Sequence, residues 1–232
     1  CFVADTKSGA IIFDGGSSSE DQVGRYRILP YMKYLGYQKI QIAVISHMDI
    51  DHYSGIKELL EMGKIKYLGL PEIPKDETMK KIIGIAKKRG TTIFYLSRGR
   101  QITTKDGSLK VLHPQKNSQM EKNAASLVMQ GKILGYRVLL TGDVEKEGEE
   151  ELLSEELERA DILKAAHHGS KNSTSNEFLQ KVQPKQTVIS CGKQNRYGHP
   201  HLETIHRLQT YRTKIYRTDR SGAIIFFKRR DG

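Results

Sequence analysis

Long hydrophobic runs are missing from this 232-residue chain. No apolar stretch approaches the roughly 20 residues that a membrane-spanning helix needs, so direct membrane insertion by this chain is not expected. No basic segment followed by an apolar core marks a secretory leader, and the chain opens inside an expected strand. Cysteine is scarce. Cys1 and Cys191 are the only two, too few for a disulfide framework and too far apart in sequence for a metal knuckle. Pro/Gly/Ser-rich linkers, internal repeats and low-complexity tracts are absent as well. The length suits a single α/β domain, expected over residues 1–232.

Negative charge is also in short supply. The 38 Lys and Arg outnumber the 27 Asp and Glu, for a net charge of +11. Much of the acid is concentrated in Glu145–Glu158, so the rest of the surface is more basic than the total suggests. Arg207, Arg212, Lys214, Arg217, Arg220, Lys228, Arg229 and Arg230 mark the C-terminal part. A field of this sign concentrates polyanions. Taken alone it equally describes a solvated basic face. Beside a phosphate-compatible metal centre it points to nucleic acid.

What the chain does have is His47-Met48-Asp49-Ile50-Asp51-His52, four metal-ligand side chains in six residues. The spacing predicts a buried strand over Ile40–Ser46 before it and a short helix over Ser54–Met62 after it. A strand-to-helix turn aims alternate side chains into one space, and imidazoles with carboxylates at this density favour a dication that activates water. The pattern elsewhere predicts a hairpin (Phe2–Ala4 and Ala10–Phe13) and a helix over Asp21–Leu35, disturbed at Pro30. Next come a strand at Tyr67–Leu70, a helix at Asp76–Lys88 ended by Gly90, and strands at Thr91–Leu96, Leu109–Leu112, Ser126–Gln130 and Arg137–Thr141. The second half alternates a helix Glu145–Leu157, a strand Asp161–Ala166, a helix Asn176–Val182, a strand Gln186–Cys191 and a helix Leu202–Gln209. Strands at Lys214–Thr218 and Ala223–Phe227 close the chain. Hairpins followed twice by alternating strands and helices predict an α/β fold, a four-layer αββα sandwich with ligands converging at one edge.

Later segments supply what the first motif lacks. Thr141-Gly142-Asp143 ends an apolar strand, so Asp143 is either a bridging metal ligand, the N-cap of the Glu-rich helix, or both. His167 and His168 end another strand, where adjacent residues face opposite sides; His168 is the expected ligand and His167 the expected substrate or support contact. His199, between Gly198 and Pro200, is expected to protonate a leaving oxygen or to touch a phosphate, or else to be a surface histidine. His201 and His206 are left outside the site, and His113 is expected to be a strand-end residue rather than a ligand. Asn123 and Ser126 open a strand at the same edge.

Together these segments resemble the metallo-β-lactamase superfamily, specifically the hydrolase domain at the C-terminal end of ComEC-type competence proteins, which internalise DNA. The matching stretches are Phe13-Asp14-Gly15-Gly16, Ser46–His52, Asn123–Val128, Leu140–Asp143, Leu163–Ser170, Asn195–His201 and Tyr216–Ile224. Asp49 stands where the superfamily's His-x-His-x-Asp-His motif has its second histidine, and a later histidine is replaced by Asn123 or a neighbour. Both departures remove imidazole, so one of two metal positions should bind zinc less tightly and accept Mn²⁺ or Mg²⁺ more readily. The family's Gly-Gln-Gly-Asp turn ahead of the first strands is absent, as if the chain began just after it.

The resemblance implies one or two divalent ions (Zn²⁺ or Mn²⁺) held by His47, Asp49, Asp51, His52, Asp143 and His168, with His167 as the remaining candidate. It implies a phosphodiester substrate, single-stranded DNA, with Asp51 also orienting the attacking water. Lys164, His199 and the unliganded histidine would stabilise the leaving oxygen, and Asn123, Ser126, Ser170, Arg196 and Tyr197 would contact the strand. An extracytoplasmic location beside a membrane channel, in the same or an associated protein, follows by the same resemblance. Two other functions fit the residues: a phosphodiesterase for small or surface-attached esters such as phosphorylcholine, and a non-catalytic nucleic-acid-binding module. The dense set of ionisable ligands weighs against the last, because buried charge without a task is costly.

Overall fold

Apolar alternation organises the chain from its first residues. In the computed structural model, which describes residues 1–120, 123–155, 157–193 and 195–227, β1 (Phe2–Thr6) and β2 (Gly9–Phe13) pair antiparallel. Gly9 closes their turn at φ +108°, which only glycine adopts without strain. β3 (Ile40–Val44), β4 (Ile65–Pro71) and β5 (Thr92–Leu96) then add in parallel, giving the sheet order β1-β2-β3-β4-β5. Their crossovers are α2 (Ile50–Glu61) and α3 (Glu77–Lys88), preceded by α1 (Leu29–Tyr34). Asp76 caps α3 by accepting the Met79 N–H at 2.7 Å.

The second sheet begins with a meander of β6 (Gln101–Thr104), β7 (Gly107–His113), β8 (Val128–Ile133) and β9 (Tyr136–Leu140). It continues in parallel through β10 (Ile162–Lys164), β11 (Gln186–Ile189) and β12 (Lys214–Arg217). The intervening helices are α4 (Lys146–Leu153), α5 (Asn176–Val182) and α6 (Leu202–Thr210), and α7 (Thr218–Ser221) follows β12.

Period-two alternation separates three apolar layers. Ile11, Phe13, Val44, Val111, Met129 and Leu140 fill the space between the sheets. Ile12, Ala43 and Leu68 face outward onto Met32, Ile56 and Ile82 of the first three helices. Leu139 and Leu163 face Leu152, Phe178 and Leu208 on the other side. This is the four-layer αββα sandwich expected from the sequence.

Some expected boundaries differ. The segment Asp21–Leu35 divides into a π-helical turn at Gly24–Ile28 and α1. Gly24 lies so close to Gly55 of α2 that a Cβ on it would sit 2.3 Å from the Gly55 carbonyl oxygen, which only two glycines allow. α2 starts at Ile50 rather than Ser54, and α4 stops at Leu153; Glu156 lies outside the described residues. The expected strand Ala223–Phe227 is irregular. Phe226 packs against Tyr136 and Tyr216, and Tyr136 donates to the Phe227 carbonyl at 2.9 Å. β6 was not anticipated, and the basic residues Lys228, Arg229 and Arg230 lie outside the described residues.

Candidate metal centre

Parallel strands that end in register bring their next residues to one edge. Phe13 pairs with Val44, and Leu140 pairs with Lys164, which pairs with Val188. Asp14, Ser46 and His47 leave the first sheet there; Asp143, His167, His168 and Ser190 leave the second.

Asp51, His52, Asp143 and His168 each offer one ligand atom, and these four atoms lie within 4.8 Å of one another. His52 Nε2 is 3.1 Å from Asp143 Oδ2, and His168 Nε2 is 3.3 Å from the same oxygen and 3.0 Å from Asp51 Oδ2. His47 and Asp49 stand beside this set, their Nε2 and Oδ2 atoms 3.6 Å apart, with the His47 ring centroid 4.1 Å from that of His52. Asp49 is the N-cap residue of α2, yet its carboxylate makes no capping bond.

The supporting bonds fix which nitrogen faces the centre. Asp14 accepts from His52 Nδ1 at 2.8 Å and from the Ser46 N–H and hydroxyl at 2.7 and 2.8 Å. The Ser46 oxygen, its proton given to Asp14, accepts from His47 Nδ1 at 3.1 Å. His168 donates from Nδ1 to the Ser190 carbonyl at 2.6 Å. The Nε2 atoms of His47 and His52 and Oδ1 of Asp143 are consequently buried without a hydrogen-bond partner. Buried polar atoms left unpaired in this way are costly unless a ligand completes them. A nitrogen and carboxylate set with buried lone pairs fits a divalent cation, and Asp51, His52, Asp143 and His168 would hold it.

The electrostatics of these side chains describe the same convergence. Burial disfavours the His52 imidazolium, but Asp143 and Asp14 outweigh it and raise its pKa to about 10. His168 is raised to about 9 against the same penalty, by Asp143 and Asp51. Asp51 falls to about 2 despite burial, through His168 and His52. A divalent cation bound there would replace these protons.

The structure distributes the remaining expected residues as follows. His167 and His168 lie beyond the strand, in a 3-10 turn over Ala166–Gly169 with φ of 45° and 53°. The opposite-face expectation therefore does not apply to them. His167 donates from Nδ1 to Glu145 at 2.7 Å and keeps Nε2 4.0 Å from Asp143. Lys164 is buried, with Nζ donating to the Gly142 carbonyl at 2.9 Å and lying 3.7 Å from Asp143 Oδ1. Its ammonium thus stands beside the Asp143 carboxylate, inside the group of residues expected at the site. Ser126 is 0% exposed, and its hydroxyl accepts the Asp143 N–H at 3.2 Å. It holds the Asp143 backbone and presents no exposed surface to a strand.

Ser170 is likewise buried, with its hydroxyl accepting the Asn172 N–H and its carbonyl the Thr204 hydroxyl. Asn123 opens the turn whose carbonyl accepts the Ser126 N–H. Asp143 caps no helix, because Glu145 is the N-cap of α4. His113 ends β7 and donates to the Ser126 carbonyl at 2.9 Å, outside the ligand cluster.

His199 sits over the pair, its ring centroid 5.4 Å from His167 and 6.3 Å from His168. Burial, then His167, His201 and His168, pull its pKa down to about 4. It is therefore neutral at neutral pH, able to donate a hydrogen bond but holding no extra proton. Tyr197 stacks on His199 at 5.8 Å, and Arg196 lies 5.0 Å over the Tyr197 ring. Sequence reasoning missed Asp14, Glu145 and Ser190 as supports. The signal for Asp14 was the same one used for Asp143, a carboxylate at the end of an apolar strand.

Fold, edge and ligand set define a metallohydrolase-type scaffold. Residues 1–193 match the family model for the metallo-beta-lactamase superfamily, and the chain belongs to that superfamily. Among curated proteins it is 38% identical over 90% of its length to "ComE operon protein 3" of Bacillus subtilis, of which it covers 27%. It is 30% identical over 98% of its length to "Competence protein ComA" of Neisseria gonorrhoeae, covering 30%. The chain thus spans less than a third of these relatives. Among solved structures, the metallo-beta-lactamase fold protein YhfI of Bacillus subtilis aligns over 93% of this chain and 87% of its own, with TM-score 0.60 and 14% identity. That likeness is one of fold.

Proposed function

We propose that this chain is a metal-dependent phosphodiesterase that cleaves single-stranded DNA during DNA uptake. The observation that carries the reading is the convergence of Asp51, His52, Asp143 and His168 at a strand-end edge whose half-buried mouth is roofed by His199, Tyr197 and Arg196. A dication bound there supplies Lewis acidity for attack of water on phosphorus. His47 and Asp49 offer a second, imidazole-poor position that suits Mn²⁺ better than zinc.

The chain's own groups then have separate tasks. Asp51 stays ionised and accepts a hydrogen bond from the attacking water. Lys164 and Ser126 hold Asp143 in place from its buried side. His167, aimed by Glu145, and the neutral His199 face the position of the departing oxygen. The exposed Tyr197 offers a stacking face to an unpaired base, and Arg196 a charge to a phosphate. Similarity to competence proteins and the net charge of +11 support DNA over a small ester. We further propose that the domain works outside the cytoplasm and passes its strand to a membrane channel in the same or an associated protein, a reading supported by the similarity to competence proteins.

The test is cleavage of labelled single-stranded DNA with Mn²⁺ or Zn²⁺ at low and moderate salt. The proposal expects metal-dependent products and binding that weakens steeply with salt. Cleavage of a small phosphate ester with no salt dependence and no action on DNA would replace it with the small-ester reading. Strand binding without any turnover would leave only a binding module.

A further inference from the structure

No carboxylate occurs between Asp21 and Asp49, while Arg25, Arg27, Lys33 and Lys39 do. The same segment carries four of the chain's 11 tyrosines, Tyr26, Tyr31, Tyr34 and Tyr37. Tyr37 is accounted for, since its hydroxyl donates to Asp5 at 2.5 Å. The other three are not. Tyr26 is 63% exposed, Tyr31 38% and Tyr34 84%, the largest exposure of any tyrosine among the described residues. Tyr31 and Tyr34 stack on each other with centroids 6.4 Å apart and planes 19° apart. Arg27, Tyr31 and Tyr34 follow one another at helical spacing, and Lys33 is exposed beside them.

An apolar partner would explain exposed rings but not the interleaved cations. Rings parallel to one another, flanked by Arg and Lys, complement a chain of π-faces joined by negative charge. Nearby carboxylates leave that complementarity in place: Glu20 lies 4.0 Å from Arg27, Glu58 accepts the Arg25 backbone N–H, and Glu61 pairs with Lys57.

The position also fits. The π-helical turn begins at Gly24, packed on Gly55. Gly55 is four residues, about one helical turn, beyond Asp51 on α2. The segment that carries the rings therefore packs on the same helix that carries Asp51 and His52, about one turn beyond them.

We propose that Tyr26, Tyr31 and Tyr34, with Arg27 and Lys33, form a second contact for single-stranded nucleic acid, a stacking ridge that holds the strand outside the cleavage site. This rests on the proposed nuclease reading only for the direction in which the strand runs. The experiment compares wild type with the combined Tyr26→Ala, Tyr31→Ala and Tyr34→Ala variant. Affinity for a fluorescent oligothymidylate of about 20 nucleotides is measured by anisotropy without added metal, and turnover of bis(p-nitrophenyl) phosphate is measured with metal.

The ridge predicts affinity at least about tenfold weaker with small-ester turnover unchanged. Unchanged oligonucleotide affinity overturns it, as does a wild type that binds no oligonucleotide. Equal strand affinity with lost binding to anionic lipid vesicles overturns it too, and assigns the surface to a membrane. If the triple variant fails to fold by circular dichroism, Arg27→Glu with Lys33→Glu gives the same answer through a shallower salt dependence. Wild type that binds the strand through the ridge but never cleaves it would end the nuclease reading and leave the ridge standing.

Discussion

Asp14 Oδ2 and His52 Nδ1 meet at 2.8 Å, 38 residues apart in sequence and both buried. The contact presents His52 Nε2 to the ligand cluster, and the same carboxylate engages Ser46, whose hydroxyl reaches His47. One buried anion thereby sets the tautomers of histidines at both candidate metal positions. Asp14→Asn keeps the shape but turns an acceptor into a donor opposite His52. We expect its affinity for Zn²⁺ or Mn²⁺ to fall by about 10–100-fold, read by competition with a chelator, while the fold persists. Unchanged affinity would mean that the ring needs no such support.

Alkaline pH should destabilise the metal-free protein. His52 and His168 have folded pKa values near 10 and 9, above the ordinary histidine value of 6.5. Their stabilisation is complete below about pH 6.5 and is lost as pH rises through 9 to 10. In EDTA-treated protein the melting temperature should fall across that window, and bound metal should shrink the fall, because the cation takes the place of the protons. A flat profile without metal would contradict the assigned contacts. At the acid end, Asp51, held near 2, contributes above its ordinary pKa of about 3.8 and is lost as pH falls toward 2.

Gly142 tolerates no side chain. Its φ is +54°, and an added Cβ would lie 2.9 Å from Ser126 Cβ and 3.0 Å from Ser46 Cβ. Gly142→Ala should cost about 1–3 kcal/mol in denaturant unfolding. It should also lower metal affinity, since Asp143 is the next residue. A stable variant with normal affinity would show that the two sheets can part there without cost.

Asn195 holds His199 through both backbone groups: its Oδ1 accepts the His199 N–H at 2.9 Å and its Nδ2 donates to the His199 carbonyl at 2.6 Å. Asn195→Ala should lower turnover on DNA by roughly tenfold with metal binding intact, a split measured by kinetics beside a metal titration. Loss of metal binding in step with activity would place Asn195 in support of the ligands instead.

Much of this was legible in the sequence because the relevant patterns are local. The His47–His52 cluster, the strands around it and the sandwich all follow from alternation and strand-end chemistry. What was not legible depends on contacts between remote segments. The neighbours of Lys164, the Gly142 carbonyl and Asp143, reach it only once β9 and β10 are paired. Ser126 reads as a polar strand opener until the Asp143 N–H is found against its hydroxyl. Ala223–Phe227 has strand composition, yet Phe226 is drawn onto Tyr136 and Tyr216 instead of pairing. Asp14, which sets the His52 tautomer, shows in the sequence only as a carboxylate after an apolar strand, because its partner is 38 residues away.

The central claim is that Asp51, His52, Asp143 and His168 bind a cation that DNA cleavage requires. The most direct measurement strips the protein with chelator, titrates it with Mn²⁺ and Zn²⁺ by calorimetry, and follows labelled single-stranded DNA in the same samples, with Asp51→Asn and Asp143→Asn in parallel. The account predicts saturable binding with cleavage rising alongside it, and loss of both in the two variants while some strand affinity survives. Stoichiometric metal binding that the variants do not weaken, or cleavage that persists in chelator, would contradict it.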